Sequence, residues 1–284
     1  MKKFISDFFK FNIFFIGSIL LLVVGRVFYE RYVVSFEIPQ SKIVLLVGDS
    51  RAECAVNDTI VADVFNYSQS GTAYFYSYLK IREILDHNPQ IKTVMLGYSY
   101  ENVAEFRDDW FDGFQNLKNF MPKYFFLFDF SDFISLVSAN PYGTLINIPR
   151  IIFTAIKGSD QLGGYVSLKR DKLQEAKDRL VVSNEQKEVK YSKYQEEYLL
   201  KIYKLVRSRN VDLILLAVPI HPLMEQNLAK YKDYYYSFAE QKLPKAKLIN
   251  HLMMDIPEYG FADLGHLNYK GSKLYSEYLQ KFGF

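Results

Sequence analysis

Ile43-Val-Leu-Leu-Val47-Gly-Asp-Ser50-Arg-Ala-Glu53 joins an apolar run to a small polar turn, and the reading of the whole chain starts there. A short, branched, apolar run ended by glycine reads as a strand buried on both faces, as in a parallel sheet. Ligands of such sheets collect beyond the carboxyl ends of the strands, so Ser50 is expected to face a crevice. An Asp/Ser helix cap after a strand is the other reading of Val47 to Glu53, and these residues alone do not separate the two.

Toward the N-terminus, Phe11 to Gly25 is an uncharged apolar run between Lys10 and Arg26. With Phe8, Phe9, Val27, Phe28 and Tyr29 it approaches the roughly 20 residues that cross a bilayer. It reads as a membrane anchor. A cleaved signal peptide competes, but no Ala-x-Ala site follows and Val23-Val-Gly25 is a weak substitute. Lys2, Lys3 and Lys10 before the run, against Arg26 and Arg31 after it, favour a cytoplasmic N-terminus and an exported domain. Residues 1–40 are therefore read as anchor and linker, and 41–284 as the folded domain.

Toward the C-terminus, strands and helices alternate. Expected strands are Ile43–Val47, Asp63–Tyr67, Ile91–Gly97, Val211–Val218 and Ala246–Asn250. Expected helices are a short Asn57–Ala62, Ala73–His87, Tyr194–Arg209, Leu223–Gln241 and a terminal amphipathic helix. Repeated strand-to-helix units mean a parallel sheet with right-handed crossovers. Between about 103 and 190 the alternation lapses. An aromatic part including Trp110, Phe111 and Phe114 precedes Asn140-Pro-Tyr-Gly143 and Gly163-Gly164, and a charged stretch from Lys169 to Lys190 reads as a solvated helix or arm. The whole reads as an insertion over the carboxyl edge of the sheet or as extra helical core.

At 284 residues and 49% hydrophobic, the chain can bury a large core. Its 24 Phe and 23 Tyr suit a thick core or a surface meeting lipid, sugar or protein. The formal charge of +3 gives no basic face for nucleic acid. The single cysteine, Cys54, excludes an internal disulfide and a cysteine-based zinc site.

A serine needs a base to become a nucleophile, and the base works best when a third group fixes its tautomer. Ser50 follows the first strand, His266 lies before the last helix, and Asp263 precedes that histidine by one turn. Asp263 can then accept the Nδ1 proton while Nε2 faces Ser50. Backbone N–H groups of Ser50 and Gly71 could form an oxyanion hole, with a polar side chain after the third strand as a further donor. Asp49, Arg51, Tyr98 and His221 are further candidates for the pocket.

Gly48-Asp-Ser50, Gly71, a polar block after the third strand and Asp263-x-x-His266 together resemble the SGNH, or GDSL-type, hydrolase superfamily over roughly 43–102 and 211–284. The resemblance implies a three-layer αβα sandwich with a flavodoxin-like sheet, here carrying a transmembrane helix and a helical insertion. It implies cofactor-free and metal-free hydrolysis or transfer of an ester-linked acyl group, with Ser50, His266 and Asp263 as the catalytic set. Anchored members act on cell-surface polysaccharides, which makes an acylated envelope glycan the expected substrate and a multispanning acyltransferase an expected partner. One departure is plain: the family's third block carries Gly-x-Asn-Asp, whereas Gly97-Tyr98 is followed here by Ser99 and Tyr100. Ser99 or Asn102 is the expected substitute donor. A non-catalytic scaffold of a polysaccharide-modifying system is the competing function.

Overall fold

The computed structural model describes residues 1–154, 156–182 and 188–282. In chain order it runs α1 (Lys2–Val33), β1 (Val44–Val47), α2 (Ser50–Ala55), β2 (Val64–Asn66), α3 (Tyr74–His87) and β3 (Thr93–Gly97). Then come α4 (Asp109–Asp112), α5 (Phe114–Tyr124), α6 (Phe130–Ala139), α7 (Pro141–Ile146), α8 (Ile148–Phe153) and α9 (Leu173–Val182). The chain closes with α10 (Lys193–Ser208), β4 (Asp212–Ala217), α11 (Pro222–Leu228), α12 (Lys232–Lys242), β5 (Lys247–Asn250) and α13 (Tyr269–Phe282). These residues form two units: Phe36–Phe111 with Leu162–Phe284, and Met1–Ser35 with Asp112–Gln161.

In the first unit the five strands pair in parallel in the order β2-β1-β3-β4-β5. That is the flavodoxin-like doubly wound order. Alternation along the strands gives the sheet two apolar faces. Val44, Leu46, Met95, Ile214 and Leu216 share one core with Ala52 and Ala55 of α2 and Tyr275 and Leu279 of α13. Leu45, Val47, Val94, Leu96 and Leu215, all buried, point the other way. There α3 and α10 run side by side, with Phe75 meeting Tyr198 edge to face at 5.0 Å. Helices on both faces of a parallel sheet give the expected three-layer αβα sandwich.

Two expected helices differ from the sequence reading. Asn57–Ala62 is a turn, and the helix lies earlier, at Ser50–Ala55. The cause is local polar competition with the helix ladder. Asn57 Oδ1 accepts from Thr59 N at 3.0 Å and Asp58 Oδ2 accepts from Asn66 N at 3.0 Å, whereas Asp49 Oδ1 caps the earlier helix through Arg51 N at 3.0 Å. The expected Leu223–Gln241 helix is broken into α11 and α12 by a 3-10 turn at Ala229–Tyr231. Part of the charged stretch forms α9, and residues 183–187 of it lie outside the described residues.

In the second unit α1 has 32 residues, about 48 Å at 1.5 Å per residue. It is long and apolar enough to cross a membrane, and Phe8, Phe14, Leu21 and their neighbours are exposed along it. Its C-terminal end is tied down instead. Arg26 Nη2 lies 2.7 Å from Glu30 Oε1, which also accepts from Ile156 N at 2.9 Å, and Arg31 Nε donates to Phe126 O at 2.8 Å. These bonds satisfy a buried carboxylate that would otherwise be costly to hold. Short helices α5, α7 and α8 pack on one another beside it.

Candidate active site

β1 delivers its polar turn through a close backbone contact. A Cβ on Gly48 would lie 2.8 Å from Ala52 Cβ and 3.2 Å from Gly97 Cα, so only glycine lets β1, α2 and β3 meet there. Asp49 then caps α2, and Ser50 becomes the first residue of that helix. The cap and the serine turn, competing readings of the same residues, are both present.

The partner loop is fixed from the far end of the chain. Phe261 and Leu267 form an antiparallel bridge, and Ala262 N donates to His266 O at 2.8 Å. Asn268 donates to Tyr259 O and Phe261 O, while its Oδ1 accepts from Lys270 N at the start of α13. With the loop so held, His266 Nε2 stands 2.8 Å from Ser50 Oγ, across 216 residues of chain. His266 Nδ1 stands 2.7 Å from Asp263 Oδ1, which also accepts from Gly265 N at 2.9 Å. Partial burial raises the Asp263 carboxyl, but the hydrogen bond and charge of His266, the Gly265 N–H and the Arg170 cation outweigh it and bring the group down to about 2. A carboxylate held ionised there favours the Nδ1–H tautomer of His266, leaving the Nε2 lone pair toward the Ser50 hydroxyl.

An extended strap from Gly163 to Lys172 crosses the carboxyl edge and ties these loops together. Gly164 N donates to Ser68 O, Val166 N to Glu53 O, and Lys172 N to Ala262 O, while Leu168 O accepts from Tyr269 N. Arg170 Nη2 then reaches Asp263 Oδ2 at 2.6 Å. Both oxygens of Asp263 are thus engaged, one by the imidazole and one by a guanidinium.

Ser50, Asp263 and His266 line one cavity of about 830 Å³. Arg51, Glu101, Phe106, Arg107, Trp110 and Arg170 are among its other walls. Beneath Ser50 lies a buried four-charge network. Glu101 pairs with both Arg51 and Arg107, Arg107 also lies 3.1 Å from Asp49, and Arg51 Nη1 donates to Ser99 Oγ at 3.2 Å. Burial opposes the charge of Asp49, yet Arg107 and Arg51 hold its carboxyl below the usual range. Trp110 covers the Arg107 guanidinium at 3.5 Å, a cation–π contact. Two cations against two carboxylates leave the buried set neutral, and removing one member of such a set costs about 3–5 kcal/mol.

The remaining candidates fall in other places. Gly71 sits in the turn after β2 with φ 73°, a left-handed conformation that suits glycine. Ser99 and Asn102 close on each other: Asn102 Oδ1 accepts from Ser99 N at 2.7 Å and from Ser99 Oγ at 2.9 Å, and neither residue lines the Ser50 cavity. Tyr98 is core, stacked on Tyr235 at 4.4 Å and donating to Tyr235 O. His221 caps α11 by accepting from Leu223 N and faces Glu258 at 3.7 Å, away from the cavity walls. Glu53, two residues beyond Arg51, accepts from Ser70 Oγ. Burial first of all pushes the Cys54 thiol up to about 12, which fits a packing residue.

Sequence reasoning missed Glu101, Arg107 and Arg170 as parts of this site. An arginine between Phe106 and Trp110, just after the third block, was the available signal for Arg107. Among the described residues no group of three or more His, Cys, Asp or Glu could hold a metal ion.

One protein-family model matches residues 159–282, a stretch that holds the strap, β4, β5 and the Asp263–His266 loop. No curated protein matches the chain. Among solved structures, the chain is similar to one provisionally named a platelet activating factor from Streptococcus pneumoniae, at 9% identity and a TM-score of 0.46, covering 96% of this chain and 98% of that one. It is also similar to a GDSL-like lipase from Bacteroides thetaiotaomicron, at 12% identity and a TM-score of 0.42, covering 90% and 94%.

Proposed function

We propose that this chain is a membrane-anchored serine esterase or O-acyltransferase acting on an ester-linked acyl group. The Ser50–His266–Asp263 relay, at 2.8 and 2.7 Å, is the observation that carries the reading. In the reaction Ser50 Oγ adds to the ester carbonyl while His266 Nε2 takes its proton, with Asp263 orienting the imidazole and stabilising its cation. The tetrahedral intermediate collapses, the alcohol leaves with the proton from His266, and Ser50 carries the acyl group. Water completes a hydrolysis, or a sugar hydroxyl a transfer, by the same steps in reverse.

An acylated envelope glycan is the substrate this reading favours. The cavity is large, and Phe106 and Trp110 give it aromatic walls beside charged side chains, a combination suited to a sugar with its apolar faces and polar rim. The apolar helix α1 supports membrane residence, and Lys2, Lys3 and Lys10 ahead of the apolar run favour placing the enzyme domain on the periplasmic or extracellular side. In this reading residues 1–40 are anchor and linker, 41–284 the catalytic domain with an insertion at about 103–190, and a multispanning acyltransferase is the partner that would supply acyl groups across the membrane.

A fluorophosphonate probe tests the proposal. Wild type is expected to label covalently and Ser50→Ala to lose the label; equal labelling of the two rejects Ser50 as nucleophile. The closed Ser99–Asn102 pair favours a second reading, a non-catalytic scaffold for polysaccharide modification. In a deletion strain a scaffold keeps its function with Ser50→Ala, and an enzyme does not.

A further inference from the structure

An acyl transfer at Ser50 builds negative charge on the former carbonyl oxygen, and that oxygen needs fixed donors within the cavity. The Ser99 hydroxyl donates to Asn102 Oδ1 and accepts from Arg51, so its donor is already engaged. Asn102 is turned inward by its own oxygen and stands off the cavity wall. Besides the backbone N–H groups, the side chain next to Ser50 in sequence, Arg51, brings a donor to the same cavity.

Arg51 lines the cavity with Ser50 and His266, although only 6% of it is exposed. Glu101 holds its Nη2 and Ser99 Oγ its Nη1, so the guanidinium is clamped on one side. Its other edge faces the histidine loop: a Cβ on Gly265 would lie 3.7 Å from both Arg51 Nε and Nη2, and 3.7 Å from Asp263 Oδ1. Among the described residues Nε–H makes no hydrogen bond, and Nε is not among the buried polar atoms left without a partner. It is an open donor in the cavity, preset by a buried ion pair, at the edge that carries the base.

We propose that the Arg51 guanidinium is the oxyanion donor of this site, replacing the asparagine that the third block lacks. The inference rests on the hydrolytic reading of Ser50. As the Ser50 Oγ–carbon bond forms, the Oγ proton goes to His266 Nε2 and the carbonyl π pair moves onto oxygen, where Arg51 donates to it. On collapse that pair returns to the carbonyl, the bond to the alkoxy oxygen breaks, and the leaving oxygen takes the proton from His266. A cation in this role also favours esters whose acyl oxygen can approach edge-on to a planar fork.

Steady-state hydrolysis of p-nitrophenyl acetate and the rate of fluorophosphonate labelling, both on the full chain, test the assignment. Arg51→Met is expected to lower kcat and the labelling rate by about 100- to 1,000-fold with KM little changed, the usual loss for one oxyanion donor. Ser99→Asn added to Arg51→Met is expected to restore part of kcat by returning an amide to the third block. Arg51→Lys keeps a cation for Glu101 and serves if Arg51→Met does not fold; it is expected to lose at least about tenfold in kcat, because an ammonium lacks the fork. A folded Arg51→Met or Arg51→Lys with wild-type kcat overturns the role of Arg51. A wild type that neither labels nor turns over overturns the hydrolytic reading itself, and the oxyanion role with it.

Discussion

Two polar turns at the carboxyl edge of the sheet use similar residues to opposite ends. The Phe261–Asn268 turn spends its backbone groups on itself and keeps its side chains for the cavity: Asp263 and His266 point along a line to Ser50. The Ser99–Asn102 turn after β3 spends its side chains on itself, as a reciprocal cap of one 3-10 turn. The difference lies in where the side chains bond. The first turn is held by Asn268, by the strap and by a bridge, and Asp263 adds a bond from Gly265 N while still reaching His266. The second is also held from outside, by Tyr98 N on Leu216 O, Ser192 N on Val103 O and the Ala104–Tyr191 bridge, yet its hydroxyl and amide oxygen still bond within the turn.

The comparison breaks most visibly at Asp263. Asp263→Asn is expected to leave the fold in place and to cost about 10⁴-fold in kcat, because an amide favours the wrong tautomer of His266. The same variant reads out the carboxyl's pH linkage. The folded group sits at about 2, below its unfolded value of about 3.9, so the stability it contributes is complete above pH 4 and fades as the pH falls toward 2. Urea unfolding of wild type and Asp263→Asn from pH 7 to pH 2 is expected to show a gap that closes over that window. A gap independent of pH breaks the linkage.

Gly163 probes the strap that supports the first turn. Its φ of 154° and a Cβ position 2.5 Å from Tyr67 O make alanine a strained replacement, expected to cost about 1–3 kcal/mol in thermal or urea unfolding. Cooperative loss of ester turnover in step with stability places the strap beneath the site. The smallest effect is expected at Asn102. Removing its cap by Asn102→Ala is expected to lower stability by about 1 kcal/mol and to change kcat by less than about tenfold. A loss of 100-fold or more with the fold intact assigns Asn102 to the oxyanion and sinks the contrast between the turns.

Much of the frame was legible in residue order. Short apolar runs ending in glycine or polar turns gave all five strands within a few residues of their bounds, and for β1, β3 and β4 burial on both faces demands that pattern. The Asp263-x-x-His266 spacing placed carboxylate and imidazole on one turn, a local relation that sequence carries well. The helix at Ser50–Ala55 follows from the cap reading of Asp49-Ser50, whereas the helix expected at Asn57–Ala62 is a turn because Asn57 Oδ1 accepts from Thr59 N and Asp58 Oδ2 from Asn66 N. The charge network was missed for a different reason. Arg51 and Glu101 are 50 residues apart and Arg170 and Asp263 are 93 apart, and no local pattern joins them.

By itself, then, the sequence determined a parallel αβ sheet and an apolar helix of bilayer length, and it offered Ser50, Asp263 and His266 as the candidate set. Their types and spacings follow from local rules of burial, capping and turn geometry. The tertiary structure alone decided which polar groups remain open to the cavity. A hydroxyl or amide such as Ser99 or Asn102 is a donor for substrate only if no neighbour has already taken its bonds, and a guanidinium such as Arg51 is a fixed one only if a distant carboxylate such as Glu101 clamps it.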